Sequence, residues 1–193
     1  REVLHDGGLA VPVQWVGPKG AADDSLILYF HGGAYVFGSP RTHRAMVARL
    51  AVNAGMPACL PDYRKAPENV FPAAVDDALA VYRAVLAAGT APERIILGGD
   101  SAGGGLVLAL LGEICAQGLA QPAATFAFSP LTDLTCSGES LHTNADADVV
   151  LPAARIRELH DVYLGGADPR DPRASPLFAD FTGAGPVWLT VGD

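Results

Sequence analysis

Short apolar runs recur along the chain, and helix-forming stretches separate them. Ser25–Phe30 (SLILYF), Arg94–Gly98 (RIILG) and Ala123–Phe128 (AATFAF) are the clearest. Runs of this length without polar alternation fit strands covered on both faces. Leu9–Val16 alternates weakly and reads as an early strand, Pro57–Pro61 as a further short one, and Pro186–Val191 as the last. A helix opens at Ser39-Pro40, with Met46, Val47, Leu50 and Ala51 on one face and Gly55 closing it. A second starts at Pro72, carries Val75, Leu79, Tyr82 and Leu86 on one stripe, and ends at Gly89. A third spans Ala102–Gln117, with Gly118 after it. Strand–helix–strand alternation of this kind builds an α/β fold: a mostly parallel sheet with helices on both faces.

The 193 residues suffice for one domain with a sizeable core. Segment 130–185 is richer in Asp, Pro, Ser and Gly and holds one clear helix, about Pro152–Leu164. It reads as an insertion between two sheet strands, placed where lids and substrate surfaces arise. Half of the residues are hydrophobic, 18% are charged and the net charge is −8, which excludes intrinsic disorder and argues against nucleic acid as a partner. Pro, Gly or charge interrupts every apolar run before it reaches membrane-spanning length. Cys59, Cys115 and Cys136 form no CxxC pair, so neither a zinc site nor a disulfide framework is expected. Reduced thiols fit the cytoplasm.

The chemistry concentrates at Gly99-Asp100-Ser101-Ala102-Gly103. An apolar strand runs into this G-x-S-x-G motif and a helix leaves it, the setting of a nucleophile elbow. Small neighbours allow the sharp turn, and Ser101 is expected in a strained backbone region at a helix N-terminus. A phosphate-binding loop is the other reading of such a Gly-rich turn, but the motif lacks the lysine that loop requires. His31-Gly32-Gly33-Ala34 follows the strand Ser25–Phe30 directly. Its backbone amides suit an oxyanion, so Gly32 and Gly33, with the amide of Ala102, are the expected donors. His31 reads as a structural residue that holds this loop, with its imidazole turned away from Ser101.

Several longer phrases carry a resemblance: HGGAYVFGS at 31–39, DYRKAPENVFPAAVDD at 62–77, GDSAGGGL at 99–106, SPLTDLT at 129–135, and ASPLFAD at 174–180 leading into VWLTVGD. In this order they resemble the hormone-sensitive-lipase-like branch of the α/β-hydrolases, the bacterial family IV esterases. One departure is Ala34, where that family usually has a third glycine. The resemblance implies an α/β-hydrolase fold over 1–193 with 130–185 as a cap or lid. It implies a carboxylesterase that cleaves small, short-acyl esters through an acyl-enzyme on Ser101, with no metal and no organic cofactor. It also implies that 62–68 locks the loop beneath the site, and that Asp76 is a scaffold carboxylate; from the residues alone Asp76 fits a solvated helix charge equally well. Asp100 is read as a supporting hydrogen-bonding residue. Tyr35, Val36 and Phe37 read either as an apolar pocket wall or as core.

A hydrolase of this kind needs an acid and a histidine after the serine. His142 and His160 do not follow a core strand and are poor candidates. The acid is expected slightly beyond Asp193 and the histidine further on, so these 193 residues are expected to lack the last strand and helix. Two other functions fit the same features: a ligand-binding protein on a hydrolase scaffold, and an amide or thioester hydrolase or acyl transferase. The sequence leaves open both a monomer and a homo-oligomer.

Overall fold

The structure is a computed structural model that describes residues 2–20, 24–147 and 155–192. Its strands are β1 (Glu2–Asp6), β2 (Leu9–Val16), β3 (Leu26–Phe30), β4 (Ala58–Pro61), β5 (Ile95–Asp100), β6 (Ala124–Phe128) and β7 (Val187–Thr190). Its helices are α1 (Pro40–Ala54), α2 (Ala73–Ala87), α3 (Ser101–Ala116), the single turn α4 (Ser140–Thr143) and α5 (Ile156–Leu164). The expected helix start at Pro152 lies outside the described residues.

The seven strands form one sheet in the order β1-β2-β4-β3-β5-β6-β7. β3 runs parallel to β4 and β5, β6 is parallel to β5, and β7 is parallel to β6. Among the described residues, only the β1–β2 and β2–β4 pairs are antiparallel. β1 gives little strand signal in the sequence, because its stretch, EVLHD, is short and largely polar. Its signal is Gly7-Gly8: Asp6 pairs with Leu9, so these two glycines, at φ 53° and 89°, make a two-residue hairpin loop.

β3 is buried throughout and serves two cores. Leu26, Leu28 and Phe30 face the larger cluster with α2 and α3, while Ile27 and Tyr29 face Val47 and Ala51 of α1. Period-two alternation on a doubly covered strand thus gives three layers: α1, sheet, then α2 and α3. α1 starts where expected, with the Thr42 hydroxyl accepting the Ser39 N–H at 3.1 Å, and ends on Gly55 in the left-handed region. Val47 and Ala51 are buried as expected, whereas Met46 is exposed. On α2 the buried face is centred on Ala74, Ala78, Val81 and Val85, so Leu79 and Leu86 lie at its margins.

β7 pairs with β6, and its side chains are exposed, Trp188 by 58%. The segment between β6 and β7 packs back on the body: Phe71 N–H donates to Tyr163 O at 2.8 Å, and the Tyr163 ring stacks on Tyr35 at 3.9 Å.

Candidate active site

β5 delivers its last residue, Asp100, to the top of the sheet, and α3 begins at the next residue. Ser101 lies between them at φ 52°, in the left-handed region. A residue with a Cβ loses roughly 1–2 kcal/mol there, so the surrounding packing must enforce the turn. Gly103 shows how. A Cβ on it would collide with the carbonyl oxygens of Phe30 and His31, so the first turn of α3 lies directly against the end of β3. Ser101 is half-buried, and its hydroxyl makes no hydrogen bond among the described residues. Ala102 is fully buried at the first turn of α3, where backbone N–H groups have no intrahelical acceptor.

The loop after β3 is held from below. His31 is buried, and its Nδ1 lies 2.7 Å from Gly32 O, so Nδ1 carries the ring hydrogen and donates it. Tyr63 donates its hydroxyl to His31 O at 2.7 Å, and its ring stacks on the imidazole at 4.4 Å. Burial pushes the His31 pKa down to about 4, which keeps the ring neutral near pH 7. These contacts make His31 a pillar of the loop, as the sequence suggests.

Asp100 is tied to the same loop. Its Oδ1 accepts the Tyr29 hydroxyl at 2.9 Å and the Gly32 N–H at 3.1 Å, and its Oδ2 faces His43 Nε2 at 3.3 Å. The Gly32 amide is thus engaged by a carboxylate. The Gly33 and Ala34 amides have no partner among the described residues. Ala34 and Tyr35, at φ 53° and 61°, carry the loop through a tight left-handed turn.

The stretch at 62–77 braces this arrangement, but through Asp77 and not Asp76. Asp77 accepts the Arg64 backbone N–H at 2.8 Å, and its Oδ1 lies 2.7 Å from Arg64 Nη2. Those hydrogen bonds hold the Arg64 guanidinium above its ordinary pKa. Asp76 is half-buried and stands outside this pair. Helix phase explains the choice: Asp77 shares the face of Ala74, Val81 and the alanines between, four residues before Val81. Tyr35 belongs to the core, Val36 is half-buried against it, and Phe37 is 62% exposed. His142 is exposed, and His160 is buried beside Leu134 O and Cys136 Sγ; neither bonds to Ser101. His43 was not singled out from sequence, because nothing local tells that the first turn of α1 packs beside Asp100.

Residues 27–193 match the model of a family described by its α/β hydrolase fold. An acetyl-hydrolase of Streptomyces hygroscopicus is 43% identical over 179 residues, which is 93% of this chain and 60% of that protein. An ethyl acetate hydrolase of Pseudomonas putida is 35% identical, over 88% of this chain and 56% of that protein. The crystal structure of an esterase from the bacterial hormone-sensitive lipase family superposes with a TM-score of 0.93 at 48% identity, covering 99% of this chain and 64% of that one. This chain therefore spans about three-fifths of the length of the curated relatives it matches. Among the described residues, no helix is long and apolar enough to cross a membrane. The strand order, the elbow at Ser101 and these likenesses agree: the chain belongs to the α/β-hydrolase family, in its hormone-sensitive-lipase-like branch.

Proposed function

We propose that the whole protein is a serine carboxylesterase acting on small esters with short acyl chains. The observation that carries this reading is Ser101: a hydroxyl on a strained turn, beside amides that, like it, have no hydrogen-bond partner among the described residues. Ser101 Oγ attacks the ester carbonyl carbon while a general base takes its proton. The carbonyl oxygen becomes an oxyanion, met by the N–H groups of Gly33, Ala34 and Ala102. The C–O bond to the alcohol breaks, the alcohol leaves with the proton, and an acyl-Ser101 remains. Water, deprotonated by the same base, then cleaves that ester and restores the hydroxyl. Gly32, expected from sequence to be a donor, serves instead as the anchor of the loop on Asp100. The base and its carboxylate are assigned to the part of the protein that the longer relatives possess and this chain does not span.

Short acyl chains are supported by the names of two relatives, an acetyl-hydrolase and an ethyl acetate hydrolase. Free thiols at Cys59, Cys115 and Cys136 support a reducing compartment, and we place the protein in the cytoplasm. The test uses the full-length protein with p-nitrophenyl acetate and butyrate and an active-site fluorophosphonate. Wild type is expected to hydrolyse both esters and to take up one label at Ser101. Ser101→Ala is expected to lose both properties, and a variant as fast as wild type refutes the assignment.

A further inference from the structure

Asp100 is gripped at both oxygens, and the two grips come from different layers of the fold. Oδ1 is held by Tyr29 of β3 and by the Gly32 amide; among the described residues Oδ2 has one hydrogen-bond partner, the imidazole of His43 on the first turn of α1. A carboxylate oxygen accepts and does not donate, so His43 Nε2 carries a hydrogen. The other ring nitrogen is fixed as well. His43 Nδ1 lies 2.9 Å from Thr42 Oγ1; that hydroxyl accepts the Ser39 N–H at 3.1 Å, and its single hydrogen lies between Nδ1 and the Ser39 carbonyl oxygen, 2.7 Å away. The start of α1 thus sets the ring's orientation, and the ring sets Oδ2. Oδ2 in turn bears on Gly32, since a Cβ at Gly32 would collide with it.

We propose that His43 is a positioning residue for ester hydrolysis: through Asp100 it holds the Gly32 amide, and so fixes the Gly33 and Ala34 amides over Ser101. This inference rests on the esterase reading above and adds to it a residue that does not touch the substrate. Without a donor at Oδ2 the carboxylate turns toward solvent, since the Asp100 side chain is 24% exposed and that of His43 20%. The Gly32 bond then loosens, and the oxyanion donors lose their preorganisation. His43 also leans on His31, with ring centroids 5.5 Å apart, so packing and hydrogen bonding must be separated by experiment.

Two variants of the full-length protein do so. His43→Phe keeps a ring against His31 but cannot donate, and His43→Gln loses the ring but can donate to Oδ2. Outright loss of one oxyanion donor costs about a hundredfold or more in turnover, so loosening the loop is expected to lower kcat about tenfold in His43→Phe, with KM little changed. His43→Gln is expected to recover most of that loss. Full kcat in His43→Phe, or a loss that His43→Gln does not restore, overturns the proposal. A second readout does not depend on turnover: hydrogen exchange of the Gly32 amide, followed by 15N NMR. It is expected to quicken in His43→Phe and to return toward wild type in His43→Gln; unchanged exchange in His43→Phe also overturns the proposal. Should wild type prove unable to hydrolyse esters while Gly32 exchange responds as stated, the esterase reading fails and the His43–Asp100–Gly32 link stands.

Discussion

Gly103→Ala tests whether the close approach of α3 to β3 is what aims Ser101. In an exposed helix this change stabilises by about 1 kcal/mol, because glycine is a poor helix former. Here the added Cβ collides with the Phe30 and His31 carbonyl oxygens and stands 2.6 Å from the His31 carbonyl carbon. All three are backbone atoms of the β3 end and cannot rotate aside. To restore ordinary contact α3 must retreat by about 1 Å, and overpacking of this kind costs roughly 1–3 kcal/mol. With no flexible neighbour the upper end applies, so about 2 kcal/mol of net destabilisation remains after the helix gain. For a protein of about 300 residues, the length of the acetyl-hydrolase it matches, that lowers the melting temperature by about 3 °C. The effect on turnover is larger in proportion, since misplacing a reacting group by about 1 Å costs on the order of a hundredfold. The control is the same substitution one helix face away. At Gly112 the nearest atom is Ala179 Cβ, at 3.2 Å, on a half-buried loop that can yield, so Gly112→Ala is expected to stay within about 0.5 kcal/mol of wild type at full kcat. Calorimetry and p-nitrophenyl acetate turnover of the full-length protein measure both. Wild-type melting and kcat in Gly103→Ala, or equal losses at the two positions, refute the reasoning.

Two further outcomes follow from buried polar groups. Asp77→Ala leaves Arg64 without its partner; breaking a buried pair costs about 3–5 kcal/mol, and the low end applies because the Arg64 side chain, 39% exposed, can turn to water. Asp76→Ala, one residue away, is expected to change stability by under about 0.5 kcal/mol, and urea unfolding that ranks the two the other way removes the role given to Asp77. The His31 ring is expected to titrate near pH 4 by NMR, because burial disfavours its cation. Between pH 6.5 and 4 the unfolded chain binds a proton that the native ring refuses, so stability falls on acidification through that window, by up to about 3 kcal/mol. A midpoint near 6.5, or an unchanged pH profile in His31→Gln, contradicts this.

The layered architecture was legible because its signals are local. A strand covered on both faces must be apolar throughout, and β3 and β5 advertise themselves that way. The elbow was legible for the same reason: its strand, its small residues and its helix are contiguous. What escaped sequence reading depends on side-chain aim or on distant partners. Asp76 and Asp77 differ only by one step of helix phase, and a face built on small residues such as Ala74 and Ala78 gives little contrast for setting that phase. The bond from Gly32 to Asp100 is not readable locally, because the carboxylate that takes its hydrogen is 68 residues away. His43 was invisible for the same kind of reason, being 57 residues from Asp100.

The long reach from Gly32 to Asp100 has a kinetic side. No local stretch contains a partial site: the amide loop follows one strand, the serine follows another, and a helix, a strand and a second helix are made between them. Pairings of such high contact order form late and slowly, since the intervening chain must be closed before any contact rewards it. During refolding, hydrolytic competence should therefore return only with the zipping of β3 against β5, well after the helical signal has recovered.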